Sequence, residues 1–334
     1  MRILKHLLKC ICAGLVAFCI LCALFSFYTF TPVHTNNAQA NSDYIWPPDA
    51  YWSIMTEGIA HGRFDANGYN NIQVIEQPDI LLLGSSHMEA VNVQQDENTA
   101  YLLNEHLAES HTVYNLGISG HHFTKVCKYL PATLELYGDN AEYIIIETSR
   151  TQITVESVDA LLNGTVDFIS SYDSGFIAFL QKLPFVRQIY HQFSHGLLDL
   201  LFPSNNKNTS ATSSAPTIVN EAAYDALFNY LSDAMSQCEA QLIIFYHPPG
   251  SLQEDGSVVF TVDEGTTLFA QKCEENGIIF LNMAEPFTDM YNESYLLPHG
   301  FITGEIGSGH LNAHGHRAIA QQLADIITRS EETN

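Results

Sequence analysis

Apolar and polar positions follow several different rhythms along this chain, and the changes of rhythm divide it. From Cys10 to Phe30 no charged residue interrupts the sequence, a run long enough to cross a bilayer as a helix. From Thr31 to Asn71 Asn, Pro and aromatic residues are frequent and no period is sustained, which reads as a juxtamembrane stretch packing partly on the domain C-terminal to it. Beyond it, short continuous apolar runs recur at Asp79–Leu83, Thr112–Asn115, Tyr143–Glu147, Gln241–Tyr246 and Ile278–Leu281. Runs of this kind are strands buried on both faces.

Helical spacing fills most of the intervals. Leu227, Leu231 and Ala234 mark one face before the fourth run, and Leu268, Phe269 and Cys273, with Gly277 at the C-cap position, mark one after it. Ala318, Leu323, Ile326 and Ile327 mark the last. Strands alternating with helices predict a parallel five-stranded sheet covered on both faces, a three-layer α/β/α domain over residues 72–330. The interval from Thr151 to Pro216 is too long for one crossover and reads as an insertion. Its first part is helical and apolar, with Leu161, Phe168, Phe176 and Phe185, suited to covering the mouth of a site or a membrane surface. Its tail, 204–216, is a polar low-complexity loop.

Charge orients the N-terminus. Arg2, Lys5 and Lys9 precede the apolar run and no Lys or Arg follows until Arg63, so residues 1–9 are expected in the cytoplasm, 10–30 in the membrane and the remainder outside. Ala38-Gln-Ala40 resembles a signal-cleavage site, the alternative to a retained anchor, yet it lies far beyond a run already long for a cleaved signal. The net charge of −24 excludes nucleic acid and an anionic membrane surface as partners. Four of the seven cysteines lie inside the apolar run, and Cys127, Cys238 and Cys273 remain. No Cys-x-x-Cys spacing outside the span suggests zinc, and no phosphate-binding or dinucleotide glycine motif is present. The expectation is therefore no cofactor and no metal. The histidines at 310, 314 and 316 could offer ligands, but His310 falls in the loop before the helix that carries the other two.

Two distant stretches carry the candidate chemistry. The first predicted strand runs into Gly84-Ser85-Ser86, which would present Ser86 at the carboxyl edge of the sheet, where α/β folds hold their reactive groups. The run from Gly309 to His316 places His310 before the final helix. A serine hydroxyl is a poor nucleophile until a base takes its proton, so Ser86 and His310 together suggest what neither does alone.

On these residues the chain resembles the SGNH/GDSL hydrolase superfamily, in particular its membrane-anchored extracytoplasmic members related to polysaccharide O-acetyltransferases. The resemblance covers about residues 75 to 330 without the insertion. It implies a flavodoxin-like sheet, Ser86 as nucleophile, His310 as base, and the Gly120 amide, in the block opened by Asn115, as an oxyanion donor. His87 stands where Leu is usual. The third block departs: Ser149, followed by Arg150, stands where the family has its oxyanion Asn. The fourth departs too, because Gly307 holds the place of the acid and Glu305 is the nearest upstream carboxylate. The resemblance implies an esterase or O-acyltransferase acting on acyl groups, acetyl above all, of a cell-envelope or extracellular glycan, with a membrane-bound acyl-donor protein as a possible partner. The two departures leave open a member that binds a glycan or partner without efficient turnover.

Overall fold

The computed structural model describes residues 2–28, 31–32, 34–55, 57–107, 110–166, 185–186, 219–304 and 306–333. Five parallel strands form the central sheet: β1 (Ile80–Leu83), β2 (Val113–Asn115), β3 (Tyr143–Thr148), β4 (Gln241–Tyr246) and β5 (Ile279–Asn282), in the spatial order β2-β1-β3-β4-β5. The flavodoxin-like order reverses direction at β1, so crevices open beyond the carboxyl ends of β1 and β3, where such folds place ligands. Register aligns those ends: Leu82 faces both Asn115 and Ile145, and Tyr246 faces Thr148 and Asn282.

The strands are apolar throughout because both faces are covered, and successive side chains serve opposite layers. Leu81, Leu83, Ile144, Ile146, Leu242 and Ile244 pack in one core with helices Phe123–Tyr137, Glu221–Met235 and Thr266–Glu275. Ile80, Leu82, Ile145, Ile243 and Phe245 pack in the other with helices Thr99–Leu107, Ala284–Ser294 and Ala313–Thr333. Each fully buried Leu, Ile or Phe contributes about 1.5–3 kcal/mol. Asp79, expected to open β1, lies just outside it and accepts the Thr112 amide and hydroxyl, both at 2.7 Å.

The N-terminal helix spans Arg2–Tyr28, and its segment Arg2–Phe25 is long and apolar enough to cross a membrane. The stretch between the N-terminal helix and β1 is built into the domain. A hairpin of Tyr51–Ile54 and Ala60–Arg63 packs Trp52 and Ala60 with Trp46 and Phe64, and the Trp46 indole donates to the buried Glu89 carboxylate at 2.7 Å. Asp65 accepts the Tyr114 hydroxyl of β2 at 2.8 Å. Of the insertion, helix Val155–Leu162 buries Leu161; Phe168, Phe176 and the polar tail lie outside the described residues. Cys127, Cys238 and Cys273 are free thiols.

Candidate active site

Ser86 opens a four-residue helix, Ser86–Glu89, directly after β1. The turn is tight. A Cβ on Gly84 would lie 2.6 Å from Met88 Cγ and 2.7 Å from Glu147 Oε2, so only glycine lets the helix fold back over β3. Asn115, at the end of β2, clamps the far side: its amide donates to Met88 O at 2.7 Å and its Oδ1 accepts the Gly117 amide at 2.9 Å.

His310 lies on the last strand of the hairpin formed by His299–Gly300 and Ile306–Leu311. Its Nε2 is 2.9 Å from Ser86 Oγ and its Nδ1 is 2.8 Å from Glu57 Oε2. The other Glu57 oxygen accepts the His310 amide at 2.8 Å. A carboxylate only accepts, so Nδ1 carries the hydrogen and Nε2 presents its lone pair to the serine. The hydrogen bond from His310 holds the Glu57 carboxyl below its ordinary range, against the opposing effect of burial. Ser86 Oγ, the His310 ring and the Glu57 carboxylate thus stand in line.

The carboxylate at His310 is one the sequence reading did not single out. Glu57 comes from the turn of the Tyr51–Ile54/Ala60–Arg63 hairpin, 253 positions from His310; Glu305, the nearest upstream carboxylate, lies outside the described residues. No motif marks Glu57. The one local trace is Gly309, where a Cβ would stand 2.4 Å from Glu57 Oε1.

The remaining expected residues divide. The Ser86 and Gly120 amides make no hydrogen bond to the described residues, and Gly120 turns at φ +79° beside Ser119, whose amide donates to Glu89. Asn115 is a correction: it is buried with both ends of its amide bonded inside the protein, and holds the turn instead of facing a substrate. Ser149 and Arg150, expected at the oxyanion position, follow β3 at the same carboxyl edge of the sheet as Ser86. Both are exposed beyond β3, and the Arg150 amide and carbonyl fold back onto the Thr148 hydroxyl. Strand β3 meets the nucleophile turn through Glu147 instead.

Glu147 is buried, accepts the Ser85 amide at 2.7 Å, and lies 2.7 Å from His247 Nε2. The bonds from His247 and Ser85 outweigh desolvation and hold its carboxyl below the usual range. His247 follows β4 and lies 3.2 Å from His299; in sequence its Tyr-His-Pro-Pro context reads only as a rigid turn. His87 packs against His247 and His310 with ring centroids at 4.5 and 5.3 Å, and its Nδ1 accepts the Leu311 amide. Burial pushes the imidazolium forms of His299 and His316 down to about 3, and that of His87 well below its ordinary value. Burial thus disfavours positive charge on these three rings beside Ser86 and His310.

His87, His247 and His299 bring ring nitrogens within 4.8 Å of one another, a set a divalent transition metal could draw together. In the structure Nδ1 of His87 faces an amide donor, and His247 and His299 bond to each other. His310 is bonded to Ser86 and Glu57, and His316 to Thr99, so the histidines of the last block do not converge on one point.

No protein-family model and no curated protein matches the chain. Among solved structures it is similar to the acetyl xylan esterase AlAXEase, at 12% identity and TM-score 0.39 over 74% of this chain and 98% of that one. It is also similar to an acetylxylan esterase from Geobacillus stearothermophilus, at 13% identity and TM-score 0.38 over 75% and 94%. The protein YXIM from Bacillus subtilis aligns at 11% identity and TM-score 0.43, over 81% of this chain and 60% of its own.

Proposed function

We propose that the chain is an SGNH-like serine esterase or O-acyltransferase, anchored by its N-terminal helix with the domain outside the cell, that acts on ester-linked acyl groups of an envelope or extracellular glycan. The observation that carries this reading is the line from Ser86 Oγ through His310 to Glu57, with contacts of 2.9 and 2.8 Å.

In the proposed reaction Ser86 Oγ bonds to the acyl carbon as its proton passes to His310 Nε2. The carbonyl electrons move onto oxygen, and the free amides of Ser86 and Gly120 are the candidate donors to that oxyanion. Collapse breaks the ester bond, the departing alcohol takes the proton from His310, and the acyl group stays on Ser86. Water or an acceptor hydroxyl then attacks that ester with His310 again as base, giving hydrolysis or transfer. Glu57 holds Nδ1–H and stabilises the imidazolium between steps. Acetyl is the acyl group the family resemblance favours, and a membrane-bound acyl-donor protein would supply it in the transfer version.

The Ser149 that stands where the resemblance expects an oxyanion Asn favours a second reading, a glycan- or partner-binding protein with little turnover, because a missing oxyanion donor costs on the order of 100-fold or more in rate. The two readings separate on labelling of the full-length chain in detergent with a fluorophosphonate probe, followed by acetate release from an acetyl ester. The enzyme reading requires labelling that disappears in Ser86→Ala and His310→Ala. A folded wild type that takes no label would leave the binding reading.

A further inference from the structure

Beneath the nucleophile turn runs a string of buried polar groups that none of these steps uses. At one end Glu147 takes the Ser85 amide on Oε2 and faces His247 Nε2 with Oε1, both at 2.7 Å. His247 Nδ1 lies 3.2 Å from His299 Nε2. At the other end Thr99, the first residue of helix Thr99–Leu107, donates its amide to His316 Nδ1 at 3.2 Å. Glu147, His247, His299 and His316 are all buried.

Each end sets a tautomer, since a backbone N–H can only donate and a carboxylate only accept. The Thr99 amide leaves His316 with its hydrogen on Nε2. Glu147 puts a hydrogen of His247 on Nε2, and in that tautomer the Nδ1 lone pair faces His299. His299 then carries its hydrogen on Nε2 and a lone pair on Nδ1. Two atoms of the string are buried without a hydrogen-bond partner among the described residues, His299 Nδ1 and His316 Nε2. By this assignment one is an acceptor and the other a donor, complementary groups of the kind a buried water bridges.

We propose that Thr99, His316, one bridging water, His299, His247 and Glu147 form one hydrogen-bond chain that holds the Ser85 amide, and with it Ser86, in the attacking position. Every donor in it points toward the carboxylate, so its bonds polarise one another in the same sense. The four side chains are positioning residues: Glu147 touches the backbone of the turn, the three histidines act through it, and none touches a reacting atom. The chain also occupies the lone pairs that a metal at His247 and His299 would need. Its functional half rests on Ser86 being the nucleophile; its tautomers do not.

Ring nitrogen-15 NMR on the histidine-labelled full-length chain in detergent, assigned with His247→Gln, His299→Gln and His316→Gln, tests the chain directly. The expected result is the Nε2–H tautomer at all three positions, unmoved by added zinc. A Nδ1-protonated or doubly protonated ring at any of them, or signals shifted by zinc, overturns it. Glu147→Gln still accepts from Ser85 but offers an N–H to His247. The proposal expects it to reverse the tautomers of His247 and His299 and slow fluorophosphonate labelling by about 10-fold or more, with the pH midpoint of labelling kept by the intact His310 and Glu57. Reversed tautomers with an unchanged rate overturn the positioning role. If Glu147→Gln does not fold, His299→Gln replaces it in the rate comparison. A wild type that takes no label fails the enzyme reading, while its spectrum still decides the chain.

Discussion

Gly309 and Glu57 occupy one another's space: a Cβ at 309 would stand 2.4 Å from Glu57 Oε1, the oxygen that accepts the His310 amide. The glycine also sits at φ +85°, a conformation that L side chains rarely adopt. Its lack of a side chain is what lets the acid approach the base from a distant hairpin. Gly309→Ala is therefore expected to displace Glu57 and lower the fluorophosphonate labelling rate on the order of 10²- to 10⁴-fold, the range seen when a triad loses its orienting acid. Labelling kinetics on a variant whose circular dichroism matches wild type check this; a rate near wild type would remove Glu57 from the triad.

The same contact makes stability depend on pH with a defined sign. The folded-state pKa of Glu57 lies below its ordinary value of 4.5, so its contribution is fully present above the unfolded value and is lost as pH falls through the folded one. Wild type is expected to exceed Glu57→Gln in stability at neutral pH, with the margin shrinking as the solution is acidified below about pH 4.5. Urea melts of both proteins across an acid series measure the margin. A margin that grows on acidification contradicts the assignment.

Much of the architecture is legible in the sequence because it rests on local pattern. The five apolar runs are the five strands, displaced by a residue or so, since a strand covered on both faces has to be apolar throughout and leaves an unambiguous run. Ser86 is legible because it lies in a turn of constrained sequence, and His310 because its block stands directly before the last helix. Glu57, Glu147 and His299 are not, because each reaches the site through tertiary contacts across the chain, and a carboxylate in an irregular stretch looks the same whether it faces water or a histidine. Asn115 misleads for a related reason: sequence places it at the right edge of the sheet, while packing against Met88 and Gly117 decides which way its amide points.

Ser149 and Arg150 give a direct check on that edge of the sheet. Both are exposed, and neither side chain bonds to Ser86, His310 or Glu57. Ser149→Ala and Arg150→Ala are expected to change labelling by about 2-fold or less, the level of an ordinary surface substitution. A loss of about 100-fold for Ser149→Ala would restore the oxyanion role to its hydroxyl.

The segment after the N-terminal helix is fastened to the domain by an ion pair out of contact with solvent. Asp43 and Lys125 are 2% and 1% exposed at their side chains and bonded to each other, and Tyr129 donates to the same carboxylate. Lys125 lies on the helix Phe123–Tyr137 that packs against the sheet, so the pair fixes the start of the stretch that later supplies Glu57. Removing one partner leaves a buried charge uncompensated, which costs about 3–5 kcal/mol, while removing both can be close to neutral. Lys125→Met is expected to lose that much stability, and Asp43→Asn with Lys125→Met to regain most of it. Urea denaturation of the three proteins in the same detergent measures the cycle. Equal losses in the single and double variants would mean that the pair holds the segment through packing of the lysine stem and not through charge.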